Sequence, residues 1–281
     1  MTDSRQKRLM GGVGIATSLV LLALKTWASF RSGSAALMSD AINSLLDVLT
    51  YSVAYLSMRI QDQSPDEDHP FGHRRAEPLA GLLFALAASA LGAAILRDAV
   101  AGFFQPARLE RDLVSTVLIA SSIVLKGGMA LWYLRALKLT ASPALRASYI
   151  DSRNDVFASF LALAGFELGG LADKAAAVAI GCWIIGSGVR VGLENVGFLM
   201  GKAPSPEIQE AIRREGLAVP GVLGLHDLRA HYVGDRIHVE VHIEVDRCTP
   251  LAEAHDIGVE VRRRLESLEP VQTAFVHIDP V

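Results

Sequence analysis

Two cysteines in 281 residues leave no disulfide framework to hold this chain together. Cys182 sits in an apolar stretch and Cys248 in a polar one, the pattern of two reduced thiols. A large net excess of either charge sign is also lacking. The net charge is −3, and residues 201–281 hold 9 Lys+Arg against 14 Asp+Glu, so little electrostatic attraction to nucleic acid is expected. No clear small-residue cleavage site follows the first apolar run, which continues too far for a cleavable signal peptide. No nucleophile-and-base arrangement or cofactor loop is present either, which argues against an enzyme and against a prosthetic group. Apolar residues, by contrast, are abundant. They make up 51% of the chain, and the mean hydropathy of +0.33 excludes a disordered or collagenous polymer.

The charged residues are unevenly spread. Residues 201–281 carry 9 of the 27 Lys+Arg and 14 of the 30 Asp+Glu, so charge density rises sharply near residue 200. That contrast divides the chain into a membrane domain over residues 1–200 and a polar domain over residues 201–281. A bilayer core about 30 Å thick needs roughly 20 residues of helix. Six stretches qualify, at about 10–30, 34–58, 78–96, 113–134, 147–169 and 174–199. Basic residues favour one side. Arg5, Lys7, Arg8, Arg59, Arg74, Arg75, Arg135, Lys138 and Arg146 fall on the side of the N-terminus, against Arg31, Arg97, Arg108, Arg111 and Lys174 on the other. The positive-inside rule then predicts a multi-pass protein of the inner or plasma membrane with both termini cytoplasmic.

The polar domain reads as helix, strand, strand, helix, strand, the order of a small two-layer α+β fold. Leu225 to Val233 and Arg236 to Asp246 flank a Gly234-Asp235 hairpin turn. In the second strand Ile237, Val239, Val241, Ile243 and Val245 alternate with His238, Glu240, His242, Glu244 and Asp246. One face is core, and the other meets water or a partner.

Acids inside the predicted spans carry the chemistry. Span 2 contains Asp40, Asn43 and Asp47, and span 5 contains Asp151 and Asp155. Asn43 with Asp47, and Asp151 with Asp155, are spaced i, i+4, so each pair lies on one helix face and can offer two oxygens to one point. An ionisable group at the membrane centre costs at least about 2.5–3.5 kcal/mol and needs a compensating partner. A divalent cation between the spans would supply it. Ion pairing with Lys25, Lys126 or Arg153 is the structural alternative. Asp40 is read as a packing or supporting acid rather than a ligand.

The loop after span 2 reads Asp68-His-Pro-Phe-Gly-His-Arg-Arg-Ala-Glu77. With the paired acids, this segment resembles the cation diffusion facilitator family, six-span exporters of divalent metals with a cytoplasmic ferredoxin-like tail. The resemblance covers essentially the whole chain. It implies a transport site at Asn43, Asp47, Asp151 and Asp155, and a second, weaker site at Asp66, His69 and His73. In the tail it implies metal ligands at His226, His242, His255, His277 and Asp279, in a domain that pairs two subunits as a homodimer. Some relatives also join the two domains through a Lys in the loop and an Asp after span 6. Here Arg75 keeps the positive charge, and Gly201 stands at the acid's position.

All eight histidines lie outside the predicted spans, so the transport site is all oxygen. Zinc-transporting relatives usually place His where this chain has Asn43 and Asp151. Oxygen ligands suit harder ions, and the quartet resembles the manganese branch, so Mn²⁺ is expected first and Fe²⁺ second, with Zn²⁺ or Co²⁺ the alternative. Export would proceed by alternating access, with protons replacing the departing metal. The rival reading is a membrane-anchored metal sensor or assembly protein that binds metal without moving it.

Overall fold

The computed structural model describes residues 2–61, 63–104, 109–137 and 143–281, with side chains described for 16–53, 56, 60, 63–104, 109–135 and 149–281. Of the basic residues that bear on orientation, Arg108, Lys138 and the side chains of Arg5, Lys7, Arg8, Arg59 and Arg146 lie outside the described residues. Six long helices come first: α1 (Thr2–Ser32), α2 (Ala35–Gln61), α3 (Ala76–Gly102), α4 (Leu113–Leu137), α5 (Pro143–Leu168) and α6 (Leu171–Leu199). Then follow α7 (Pro206–Leu217), β1 (Gly224–Val233), β2 (Arg236–Val245), α8 (Leu251–Glu266) and β3 (Val271–Pro280). The chain forms two compact units, one of residues 1–56 and 83–192 and the other of residues 57–82 and 193–281.

The helical unit is inverted relative to a water-soluble protein. Lys25 and Asp40 are completely buried, whereas Leu83 is 61% and Phe157 65% exposed. Buried charge combined with outward-facing leucines and phenylalanines fits a lipid surround, where helices satisfy their own backbone groups. Among the described residues, α3, α4 and α6 are long and apolar enough by composition alone to span a bilayer. The acids Asp40 and Asp47 in α2, and Asp151 and Asp155 with Arg153 in α5, make those two helices more polar. Their polarity is concentrated on the buried face. On α5, Asp155 and Ser159 are buried while Phe157 and Phe160 point outward.

Close packing and capping fix these helices. A Cβ at Gly188 of α6 would stand 2.6 Å from Ser89 Oγ and 3.1 Å from the Ala85 carbonyl of α3, so the small residue permits the two backbones to approach. Ser34 caps α2, its hydroxyl accepting from Leu37 N at 3.0 Å. Asp173, from the first turn of α6, accepts from Ala35 N at 2.9 Å and Ala36 N at 3.3 Å and also receives the Ser34 hydroxyl. A buried carboxylate therefore neutralises the positive end of the helix that carries Asn43 and Asp47.

The polar unit contains a three-stranded sheet in the order β1-β2-β3, antiparallel between β1 and β2 and parallel between β2 and β3. This is the ferredoxin-like βαββαβ pattern without its first strand. The apolar face of β2 is buried: Ile237, Val239, Val241, Ile243 and Val245 pack with Ile212 of α7 and Val261 and Leu265 of α8. Gly234 closes the hairpin at φ 65°, and a Cβ there would fall 2.6 Å from the Arg74 carbonyl. One member of the polar face departs from the expected alternation. His238 is buried, because Phe71 and His231 cover it with ring centroids 6.0 Å away.

Candidate metal centre

The helical periodicity of α2 and α5 builds a polar column between them. Reading along α2, Tyr51, Asp47, Asn43 and Asp40 recur at intervals of three or four residues, and on α5 Asp151, Asp155 and Ser159 recur every four. Tyr51 Oη donates to Asp151 Oδ2 at 3.1 Å, and Asn43 Nδ2 donates to Asp155 Oδ1 at 3.0 Å. Ser159 Oγ donates to Asp40 Oδ1 at 3.0 Å. Asp47, Asp151 and Asp155 each place a carboxylate oxygen within 4.8 Å of the others. An ion with metal–oxygen bonds of about 2.2 Å keeps its ligand atoms within about 4.4 Å of one another, so a small contraction would close the three acids around it.

Two of the three basic residues expected as compensating partners, Lys25 and Lys126, have a place here, at different acids. Lys25 Nζ donates to Asp40 Oδ1 at 2.9 Å and to Ser159 Oγ at 2.8 Å, a self-neutralised buried pair. Lys126, from α4, donates to Asp155 and approaches Asp47 Oδ2 at 3.4 Å. Arg153 takes no part; it lies exposed beside Asn154 and the Tyr149 ring. Three carboxylates and one ammonium give the cluster a formal charge of −2, which one dication balances. Tyr51 and Ser159 were missed in reading the sequence, although each sits one helical turn from a named acid, after Asp47 and Asp155 respectively.

Two further clusters lie outside the spans. In the loop before α3, Asp66 accepts from His69 N at 2.6 Å, and its two oxygens lie 3.2 Å from His69 Nδ1 and 3.3 Å from His73 Nε2. The backbone N–H of His69 leads the contacts that hold the Asp66 carboxyl below the usual range. Among the described residues, the buried His73 Nδ1 has no hydrogen-bond partner. In the sheet, His226, His242 and His277 occupy one rung across β1, β2 and β3. A β-bulge follows His226, with Asp227 at φ 46°. Asp279 Oδ2 lies 3.2 Å from His226 Nε2 and 2.9 Å from His242 Nδ1, while Oδ1 lies 3.3 Å from His277 Nε2. The His242 hydrogen bond is the main cause of a depressed Asp279 carboxyl. His255, on α8, lines the groove beside His242 and His277 without joining the Asp279 knot.

At the position where some relatives carry an acid, Gly201 adopts φ 81°, a left-handed backbone that closes the end of α6. The charged contact made by the loop is a different one. Arg74 Nη1 lies 2.6 Å from Asp235 Oδ1 at the β1–β2 turn.

A helical domain with buried acids and an appended sheet domain with clustered histidines define a membrane protein equipped to handle metal cations. Residues 13–200 match the cation efflux transmembrane domain, and residues 204–281 match the cytoplasmic domain of cation efflux proteins. The chain belongs to the cation diffusion facilitator family. It is 35% identical over 273 residues to the uncharacterized transporter MJ0449 of Methanocaldococcus jannaschii, covering 96% of each chain. Identity to the cation-efflux pump FieF of Cronobacter sakazakii is 30% over 280 residues, covering 97% of this chain and 93% of that one. Identity to the manganese efflux system protein MneS of Bacillus subtilis is 30% over 274 residues, covering 96% and 94%. The family is one of divalent-cation transporters.

Proposed function

We propose that this protein expels a divalent cation in exchange for protons, with Mn²⁺ the preferred substrate and Fe²⁺ the next. The convergence of Asp47, Asp151 and Asp155 from two helices, with Asn43 hydrogen-bonded to Asp155, carries this reading. A set without imidazole suits a harder ion. The manganese efflux named for the Bacillus subtilis relative points the same way. Zn²⁺ and Co²⁺, which also accept carboxylates, are the competing substrates.

In this reading residues 1–200 form the transport domain and both termini are cytoplasmic. Metal enters from the cytoplasm, binds between α2 and α5, and is released on the far side as the bundle rocks. The emptied acids still require positive charge. Protons from the far side supply it, so inward proton flow drives metal outward. Residues 201–281 pair two subunits and bind regulatory metal at His226, His242, His255, His277 and Asp279, and Asp66, His69 and His73 form a weaker loop site.

The test is metal flux in proteoliposomes. An imposed pH gradient should accelerate Mn²⁺ transport, Mn²⁺ should outcompete Fe²⁺, Zn²⁺ and Co²⁺, and Asp155→Ala should abolish flux. Metal binding without flux would establish the sensor reading in its place.

A further inference from the structure

A lysine in the middle of a membrane helix is costly unless it has a task there, and this protein has two such residues with different surroundings. Lys25 is matched by Asp40, an acid outside the three-acid cluster, and by Ser159. Among the described residues, Lys126 has no acid outside that cluster. The residue is 2% exposed and shares its two acids, Asp155 and Asp47, with the cluster that would hold metal. An ammonium is a compact point charge with three donors, so it can be shared among several carboxylates as a bound cation is. Ammonium and metal therefore compete for the same oxygens.

We propose that Lys126 is a tethered cation that occupies the carboxylate site between transport events and sets how readily metal is released. Entry of a dication displaces the ammonium from Asp155. Return of the ammonium to that oxygen helps dislodge the ion. The lysine thus weakens metal binding, which suits a carrier: a site of three uncompensated carboxylates would hold its ion too long to turn over. The inference rests on the transport-site reading above, but it makes a distinct claim about a helix that contributes no ligand.

The test uses the full-length protein, with Mn²⁺ as the probe. Lys126→Met removes the charge with little change in length. It should bind Mn²⁺ at least about tenfold tighter, a modest expectation for deleting a unit charge roughly 4 Å from the ion. In flux assays its KM and kcat should fall together, because release becomes limiting. Lys126→Arg keeps the charge and can clamp a carboxylate with two parallel N–H groups, so its KM should rise. A merely structural lysine would not move KM in opposite directions in these two variants. Unchanged or weaker Mn²⁺ binding by Lys126→Met overturns the proposal. If that variant does not accumulate, an unchanged or lowered KM in Lys126→Arg does so. Asp155→Ala separates the two readings. Its loss of the Mn²⁺ affinity measured in the parent upholds the transport site whatever Lys126 does, whereas full retention removes the site itself.

Discussion

Asp173 offers a test of how the ligand-bearing helix is held. It reaches across 138 residues of sequence to the start of α2, where it accepts two backbone N–H groups and the Ser34 hydroxyl, and it is only 5% exposed. Replacing it with Ala leaves those amides without their acceptor in a place water scarcely reaches. Each unpaired buried donor costs about 1–3 kcal/mol, and loss of an anion at a helix N-terminus adds about 0.3–1 kcal/mol. Allowing for partial relaxation, Asp173→Ala should cost about 2–4 kcal/mol in equilibrium unfolding of the detergent-solubilised protein. Asp173→Asn, which keeps one acceptor oxygen, should lose roughly half of that. Because α2 carries Asn43 and Asp47, the Ala variant should also raise the KM for Mn²⁺. An Asp173→Ala protein as stable as its parent would refute the reasoning, since Asp173 is the acceptor that Ala35 N and Ala36 N use.

Two further predictions concern packing and acid sensitivity. Gly188→Val should destabilise the helical unit by about 1–3 kcal/mol through overpacking, whereas Gly186→Val, with nothing within 4 Å of its Cβ position, should have little effect; equal effects in thermal unfolding would refute the contact. Burial, followed by the neighbouring charges of His231, Arg75 and Arg74, holds the His238 imidazole below its ordinary value. Between about 6.5 and that lower value the unfolded chain binds a proton that the folded one does not, so stability should fall as pH drops through this range and level off below it. His238→Gln should flatten that acid slope in the full-length protein, and an unaltered slope would locate the sensitivity elsewhere.

The parts of the fold that could be read from the sequence are those encoded locally. Pairs of polar residues one turn apart in an apolar run place Asn43 with Asp47 and Asp151 with Asp155 on helix faces before any tertiary structure is known. Strict alternation fixes the buried face of β2 in the same way. What could not be read depends on distant partners. Lys25 and Lys126 look alike in sequence, each a single cation in an apolar span, yet one pairs with Asp40 and the other enters the acid cluster. His238 sits at an outward position of its strand and becomes buried because Phe71, far away in the chain, lies over it. Arg74 and Asp235 likewise form their ion pair through tertiary placement alone. The resemblance of the loop drew attention to Arg75, whose matching acid position is Gly201 in this chain.

The central claim is that oxygen-bearing side chains of α2 and α5 converge on one dication. The most direct measurement is equilibrium Mn²⁺ binding to a full-length protein in which His69, His73, His226, His242 and His277 are replaced by Ala, leaving the intramembrane acids intact. One Mn²⁺ per chain should still bind, and adding Asp155→Asn should abolish it. Binding that survives Asp155→Asn, or no binding before that change is made, would contradict the account.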